Sequence, residues 1–150
     1  MKVVIQRVKR ASVVVESQLI SEINGGLLIF LGVGESDSMD DVDWLTRKIA
    51  AMRIFSDDDG KMNRDIIETK GDILLVSQFT LHASTRKGNR PSFIKAARPE
   101  IAIPLYEAFK YQLEVLTGNN VRTGEFGAMM DVQLINDGPV TIIMDSVIRE

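Results

Sequence analysis

Few side chains in this sequence can do chemistry, and their types restrict what that chemistry could be. His82 is the single histidine and there is no cysteine, which removes thiol nucleophiles, zinc–thiolate centres and disulfides together. The hydroxyls that stand out are Ser77 and Thr80, in the run Ser77-Gln78-Phe79-Thr80-Leu81 directly after the apolar stretch Ile73-Leu74-Leu75-Val76. A second polar run, Asn136-Asp137-Gly138-Pro139-Val140-Thr141, follows Val132-Gln133-Leu134-Ile135. Both apolar stretches read as buried strands, so the polar residues fall at strand ends, where binding and catalytic groups concentrate.

A serine–histidine–acid triad would need His82 beside Ser77 or another hydroxyl. With His82 close after Thr80 in an extended segment, that geometry is hard to arrange within one strand, and His82 is expected in a loop or facing solvent. No His or carboxylate cluster has metal-ligand spacing. Asp57-Asp58-Asp59-Gly60 has the look of a calcium loop, but no glutamate follows at the EF-hand spacing. Gly32-Val33-Gly34 lacks the rest of a dinucleotide fingerprint and reads as a strand end. Catalysis is left to hydroxyls, backbone N–H groups or the substrate itself.

The elements that must position these residues are of mixed α and β type. Val3 to Val8, Ser12 to Glu16, Leu19 to Ile23 and Leu27 to Val33 predict an opening antiparallel meander with turn-like gaps such as Asn24-Gly25-Gly26. Val42, Leu45, Ile49 and Met52 recur at helical spacing after Asp40, and the acids there suit a helix amino terminus. A second helix is expected from about Pro99 to Leu116, with Leu105, Phe109, Leu113 and Leu116 on one face and Gly118-Asn119 as its stop. Strands are expected near Asn120 to Phe126, Met130 to Ile135 and Val140 to Asp145, the last two joined through Asn136 to Pro139. No repeat or linker divides the chain, so residues 1–150 read as a single domain with one core.

Charge is unevenly spread. The net charge is −3, yet Ile73 to Pro99 contains no acid and carries Arg86, Lys87, Arg90, Lys95 and Arg98, with Gly88 and Pro91 marking a loop. Such a stretch is either a solvated surface or a local positive field for an anionic partner. No apolar run approaches the ~20 residues of a membrane span, and the amino terminus alternates like a strand instead of showing a signal peptide's apolar core. A cytoplasmic protein is expected, with no membrane and no DNA partner.

Taken together, the two polar runs and the basic loop resemble a known family, the D-aminoacyl-tRNA deacylases. Ser77 to Leu81 is similar to its SQFTL signature, Asn136 to Thr141 to its NxGPVT signature, and Arg86 to Phe93 to its RKGxRPSF loop. Val4 to Val8, Arg53-Ile54-Phe55, Gly60 to Asn63 and Gly124 to Ala128 follow in family order, so the resemblance spans nearly the whole chain. It implies a largely antiparallel, barrel-like sheet with two main helices, and hydrolysis of the ester between a D-amino acid and the terminal adenosine of tRNA, without a cofactor or metal. Ser77, Gln78, Phe79 and Thr80 would form the catalytic segment, with backbone N–H groups around Phe79 facing the reacting carbonyl and the substrate 2′-hydroxyl assisting.

The resemblance further implies a homodimer with active sites at the subunit interface. Gly138 and Pro139, joined by a cis peptide, would reach into the partner's site and exclude L-amino acids, with Asn136 in the same element and Arg7 bracing it. Arg86, Lys87 and Arg90 would contact tRNA. Because exclusion acts on a side chain, some action on glycyl-tRNA is expected. Met129 departs from the family, where a polar residue often precedes the methionine matching Met130. Other readings stay open for the residues themselves. Asn136 to Pro139 alone reads equally as a hairpin turn, Arg7 as surface, and Ser77 and Thr80 as partners for strand-end backbone groups. Phe79 is expected to pack inward. Two rival functions are a non-catalytic tRNA-binding module and an esterase using Ser77 or Thr80 as nucleophile.

Overall fold

A computed structural model describes residues 1–149. The chain opens with β1 (Lys2–Val15), β2 (Gln18–Ile23) and β3 (Gly26–Gly32), followed by α1 (Met39–Ala50), β4 (Phe55–Ser56), β5 (Met62–Arg64) and a short α2 (Ile66–Thr69). Then come β6 (Asp72–Ser77), a 3₁₀ turn (Phe79–His82), α3 (Pro99–Thr117), β7 (Val121–Thr123) and β8 (Asp131–Asp145). The fold class is mixed α+β, as expected.

The sheet is organised around β1 and is not a meander. One edge of β1 pairs antiparallel with β3 along Lys2 to Val8 and with β2 along Ala11 to Val15, while its other edge pairs antiparallel with β8 over nearly its full length. β3, β6 and β7 continue in parallel, giving the order β2-β1-β3-β6-β7. The two ends of that order meet, because Ser21 on β2 donates its hydroxyl to the Thr123 carbonyl on β7 at 2.7 Å. Curling of this kind makes a nearly closed barrel with alternating residues facing in and out. On β6, Ile73 and Leu75 join the cluster under the helices, and Leu74 and Val76 join Val8, Ala11, Val13 and Leu28 on the opposite face.

The two main helices cover the barrel where the periodicity put them. Asp41 caps α1 by accepting from the Ser38 N–H at 2.8 Å, and Val42, Leu45 and Ile49 are fully buried. α3 starts at Pro99, where a missing N–H costs nothing, and ends at Gly118, whose φ of +71° suits a left-handed cap. Leu105, Phe109 and Leu113 pack inward.

Four details differ from the sequence reading. Val3 to Val8 and the stretch from Ser12 are one strand ending at Val15, because the chain stays extended through exposed Lys9 and Arg10. Met130 to Ile135 and Val140 to Asp145 likewise merge into β8, so Asn136 to Pro139 is not a hairpin. Gln6 pairs with Thr141 and Val8 with Asn136, which leaves Arg7 alone opposite Asp137, Gly138, Pro139 and Val140, a bulge that projects from the ladder. The Ser77 to Leu81 segment is extended only to Ser77 and then coils. The strand expected from Asn120 to Phe126 is confined to Val121–Thr123.

Candidate active site

β6 delivers Ser77 to its carboxyl end, and Gln78 turns the chain into the 3₁₀ coil. Gln78 is tied to β3 by its N–H, which donates to Leu31 O at 2.7 Å. The coil docks closely on the end of β3, where a Cβ on Gly32 would lie 2.9 Å from Gln78 O and 3.0 Å from Leu81 Cβ. His82 closes the coil, with Nε2 3.1 Å from the Gly32 carbonyl. The histidine expected in a loop or in solvent is thus half-buried and pins the coil to the sheet.

A cavity of about 650 Å³ opens above this segment, walled by Ser77 to Thr80 together with residues of α3 and the Phe126 to Met130 segment. Among the described residues, the N–H groups of Phe79 and Thr80 have no hydrogen-bond acceptor. They are the first donors of the coil, left over because a helical turn cannot satisfy its own start. The Gln78 side-chain amide donates to the Thr80 hydroxyl, orienting it. Phe79 is 56% exposed at the rim, against the inward packing expected, because coiling breaks the strand alternation on which that expectation rested.

Tyr106 of α3, unanticipated from sequence, is among the described residues the one titratable side chain on the cavity wall. Its hydroxyl donates to Leu75 O at 2.9 Å, and burial, with the charge of Glu107 adding, pushes its pKa above the ordinary tyrosine value. It therefore stays neutral and occupied. Among the described residues no Asp, Glu, His, Lys or Arg lines the cavity. Neither Ser77 nor Thr80 is bonded to a base that could activate it as a nucleophile. Among the described residues no group of three or more His, Cys, Asp or Glu is placed to hold a metal ion, and no described helix is long and apolar enough to cross a membrane.

Arg7, Asn136, Gly138 and Pro139 gather in a second place. The Arg7 guanidinium, 8% exposed, donates through Nε to the Asp137 carbonyl at 3.0 Å and through Nη1 to Ile54 O at 2.5 Å. Its Nε also lies 3.3 Å from the Asp137 carboxylate. Asn136 accepts from the Val140 N–H at 2.8 Å and donates to Gln6; Gln6 was not singled out from sequence, although its spacing from Arg7 along β1 puts it beside the bulge. The Gly138–Pro139 peptide is cis. Both residues are exposed, and neither lines the cavity of its own chain.

The basic loop is a third feature. Ser84 and Ser92 exchange backbone hydrogen bonds of 2.8 and 2.9 Å, closing a hairpin from which Arg86, Lys87 and Arg90 project into solvent. Among the described residues none of the three has an acidic partner.

Residues 4–145 match the family described as D-Tyr-tRNA(Tyr) deacylase. The chain belongs to the D-aminoacyl-tRNA deacylase family. Its relatives include a D-aminoacyl-tRNA deacylase of Akkermansia muciniphila, 61% identical over 150 residues that cover the whole of both chains. Another of that name, from Bacteroides fragilis, is 57% identical with the same coverage. A solved structure titled "c-Myc DNA Unwinding Element Binding Protein" superposes with a TM-score of 0.92 at 40% identity, over 97% of this chain and 98% of that one. The deacylase fold therefore carries all three features described above.

Proposed function

We propose that this deacylase hydrolyses the ester between a D-amino acid and the terminal adenosine of tRNA using main-chain donors, without a side-chain base. The observation that carries this reading is a cavity lined by Phe79 and Thr80, whose N–H groups have no acceptor, and, among the described residues, by no acidic or basic side chain. An aminoacyl ester is already activated. Its hydrolysis needs a positioned water and donors for the oxyanion, and preorganised N–H groups in a water-poor site are worth about 2.7–4 kcal/mol each in comparable chemistry. Phe79 and Thr80 N–H would take that role, Ser77 and the Gln78–Thr80 pair would orient water and substrate, and the substrate 2′-hydroxyl would assist.

Chiral selection is assigned to Gly138 and Pro139 of a partner subunit. Two facts support this: the pair protrudes on a braced bulge, and it stands outside its own cavity. Backbone filling the space of an L side chain selects by exclusion, so glycyl-tRNA should be turned over to some degree. Arg86, Lys87 and Arg90 are assigned to tRNA phosphates, and the cytoplasm is the compartment such a substrate implies.

The test is release of labelled tyrosine from D-tyrosyl-tRNA and L-tyrosyl-tRNA at substoichiometric enzyme. Multiple turnovers on the D ester alone are expected. Turnover of both esters would refute the selection mechanism, and tRNA binding without turnover would leave only a binding module.

A further inference from the structure

We propose that Phe93 and Ile94 form a landing outside the cavity for the nucleotide that precedes the terminal adenosine. This deepens the deacylase reading and rests on it. Phe93 follows the basic hairpin, and its ring meets Phe79 edge-to-face with centroids 5.2 Å apart and planes at 74°. Phe79 belongs to the cavity rim, whereas Phe93 lies beyond it. Phe93 is 38% exposed and Ile94 81%, so both offer apolar surface to solvent, Phe93 in contact with the rim aromatic. An edge-to-face pair covers at most one ring face of the two residues and leaves others open for stacking.

The neighbours say what kind of group would stack there. Exposed aromatic faces interleaved with cations are the combination that holds single-stranded nucleic acid, stacking taking the bases and Lys or Arg the backbone. Here Arg86, Lys87 and Arg90 rise from the hairpin whose base is Ser92, directly before Phe93, and among the described residues none of the three is paired with an acid. Successive stacked bases are separated by about 3.4 Å and unstacked ones by more. A ring whose centroid lies 5.2 Å from that of the rim aromatic is thus within reach of the adjacent base and not of one several positions away. Along the chain the hairpin cations lead directly into Phe93 and Ile94, and Phe93 touches Phe79 at the cavity rim, which is the arrangement a strand leaving the site would meet.

The experiment measures kcat and KM on three D-tyrosyl esters, those of adenosine, of the dinucleotide cytidylyl-adenosine and of intact tRNA, for the unmodified protein, Phe93→Leu and Ile94→Ala. The unmodified protein should show a KM about tenfold lower for the dinucleotide ester than for the nucleoside ester, the scale of one stacked base. Both variants should remove that gain and leave the nucleoside ester unchanged. Equal KM values for the two small esters in the unmodified protein would overturn the proposal. So would an equal loss on all three esters in both variants, which would make the pair a mere prop for Phe79. Failure of the unmodified protein to turn over intact D-tyrosyl-tRNA would instead overturn the deacylase reading itself. Ile94, being mostly in solvent, keeps the test informative if Phe93→Leu loses its fold.

Discussion

Arg7 is a nearly buried cation that spends its donors on main-chain carbonyls, Asp137 O and Ile54 O, with one carboxylate nearby. Its task is to hold a bulge in place. Removing it as Arg7→Ala leaves buried carbonyls unpaired and should cost about 1–3 kcal/mol, measured by chemical denaturation, together with a loss of D-over-L selectivity. Gly138 lies close against the same arginine: its φ is +130°, and an added Cβ would stand 2.8 Å from Arg7 Nη2 and 3.0 Å from Val140 Cγ2. Gly138→Ala should therefore displace the bulge and lower turnover at least about tenfold, as misplacements of an ångström do in other sites, while circular dichroism stays native. Ser77→Ala and Thr80→Ala should each keep considerable activity. Complete loss in either, with the fold intact, would favour a hydroxyl nucleophile. At this scale the signatures themselves were legible, since SQFTL and NxGPVT are contiguous. Tyr106, Gln6 and the outward turn of Phe79 were not, because each depends on which way a side chain leaves an element that sequence alone did not delimit.

Two elements behave as separable parts. The hairpin from Ser84 to Ser92 should bind phosphates through charge alone, so tRNA affinity should fall as salt rises, and neutralising Arg86, Lys87 and Arg90 should flatten that slope by about 0.7–0.9 per charge removed. Titrations at several salt concentrations decide this, and an unchanged dissociation constant would remove the role. α3 is a structural part. Phe109→Ala at its fully buried face should cost about 3–5 kcal/mol, read from denaturant midpoints. Helices were readable because end signals and 3.6-residue spacing are local, as at Val42, Leu45 and Ile49 in α1 and at Gly118 after α3. Strand continuity was not. Lys9-Arg10 and Asn136 to Pro139 carry residue types that mark loops, yet a long strand tolerates exposed cations on its outer face, and a bulge uses the same Asn, Asp, Gly and Pro that turns use.

For the whole molecule, β8 is the exposed margin. It runs for 15 residues, pairs with β1 on one side only, and presents Ile135 and Ile143, the latter 71% exposed. A long unpaired strand with apolar side chains is a surface that another chain will cover. Since Gly138 and Pro139 sit on this strand, sedimentation should show a dimer, and Ile143→Glu should yield monomers lacking chiral selection. A fully active, selective monomer would overturn the cross-subunit assignment. The barrel's closure through Ser21 and Thr123 was foreseen only through the family resemblance, because no local pattern reports how two sheet ends meet.

A cavity without an activated nucleophile also decides how such an enzyme can be found and blocked. On the proposed mechanism, fluorophosphonates, iodoacetamides and other reagents that report enzymes by capturing a reactive side chain should pass over this one, in a cell extract as in a tube. If main-chain donors do the chemistry as proposed, an inhibitor must win by shape and hydrogen bonds, for which a D-aminoacyl amide of adenosine, which resists hydrolysis, is the natural starting compound.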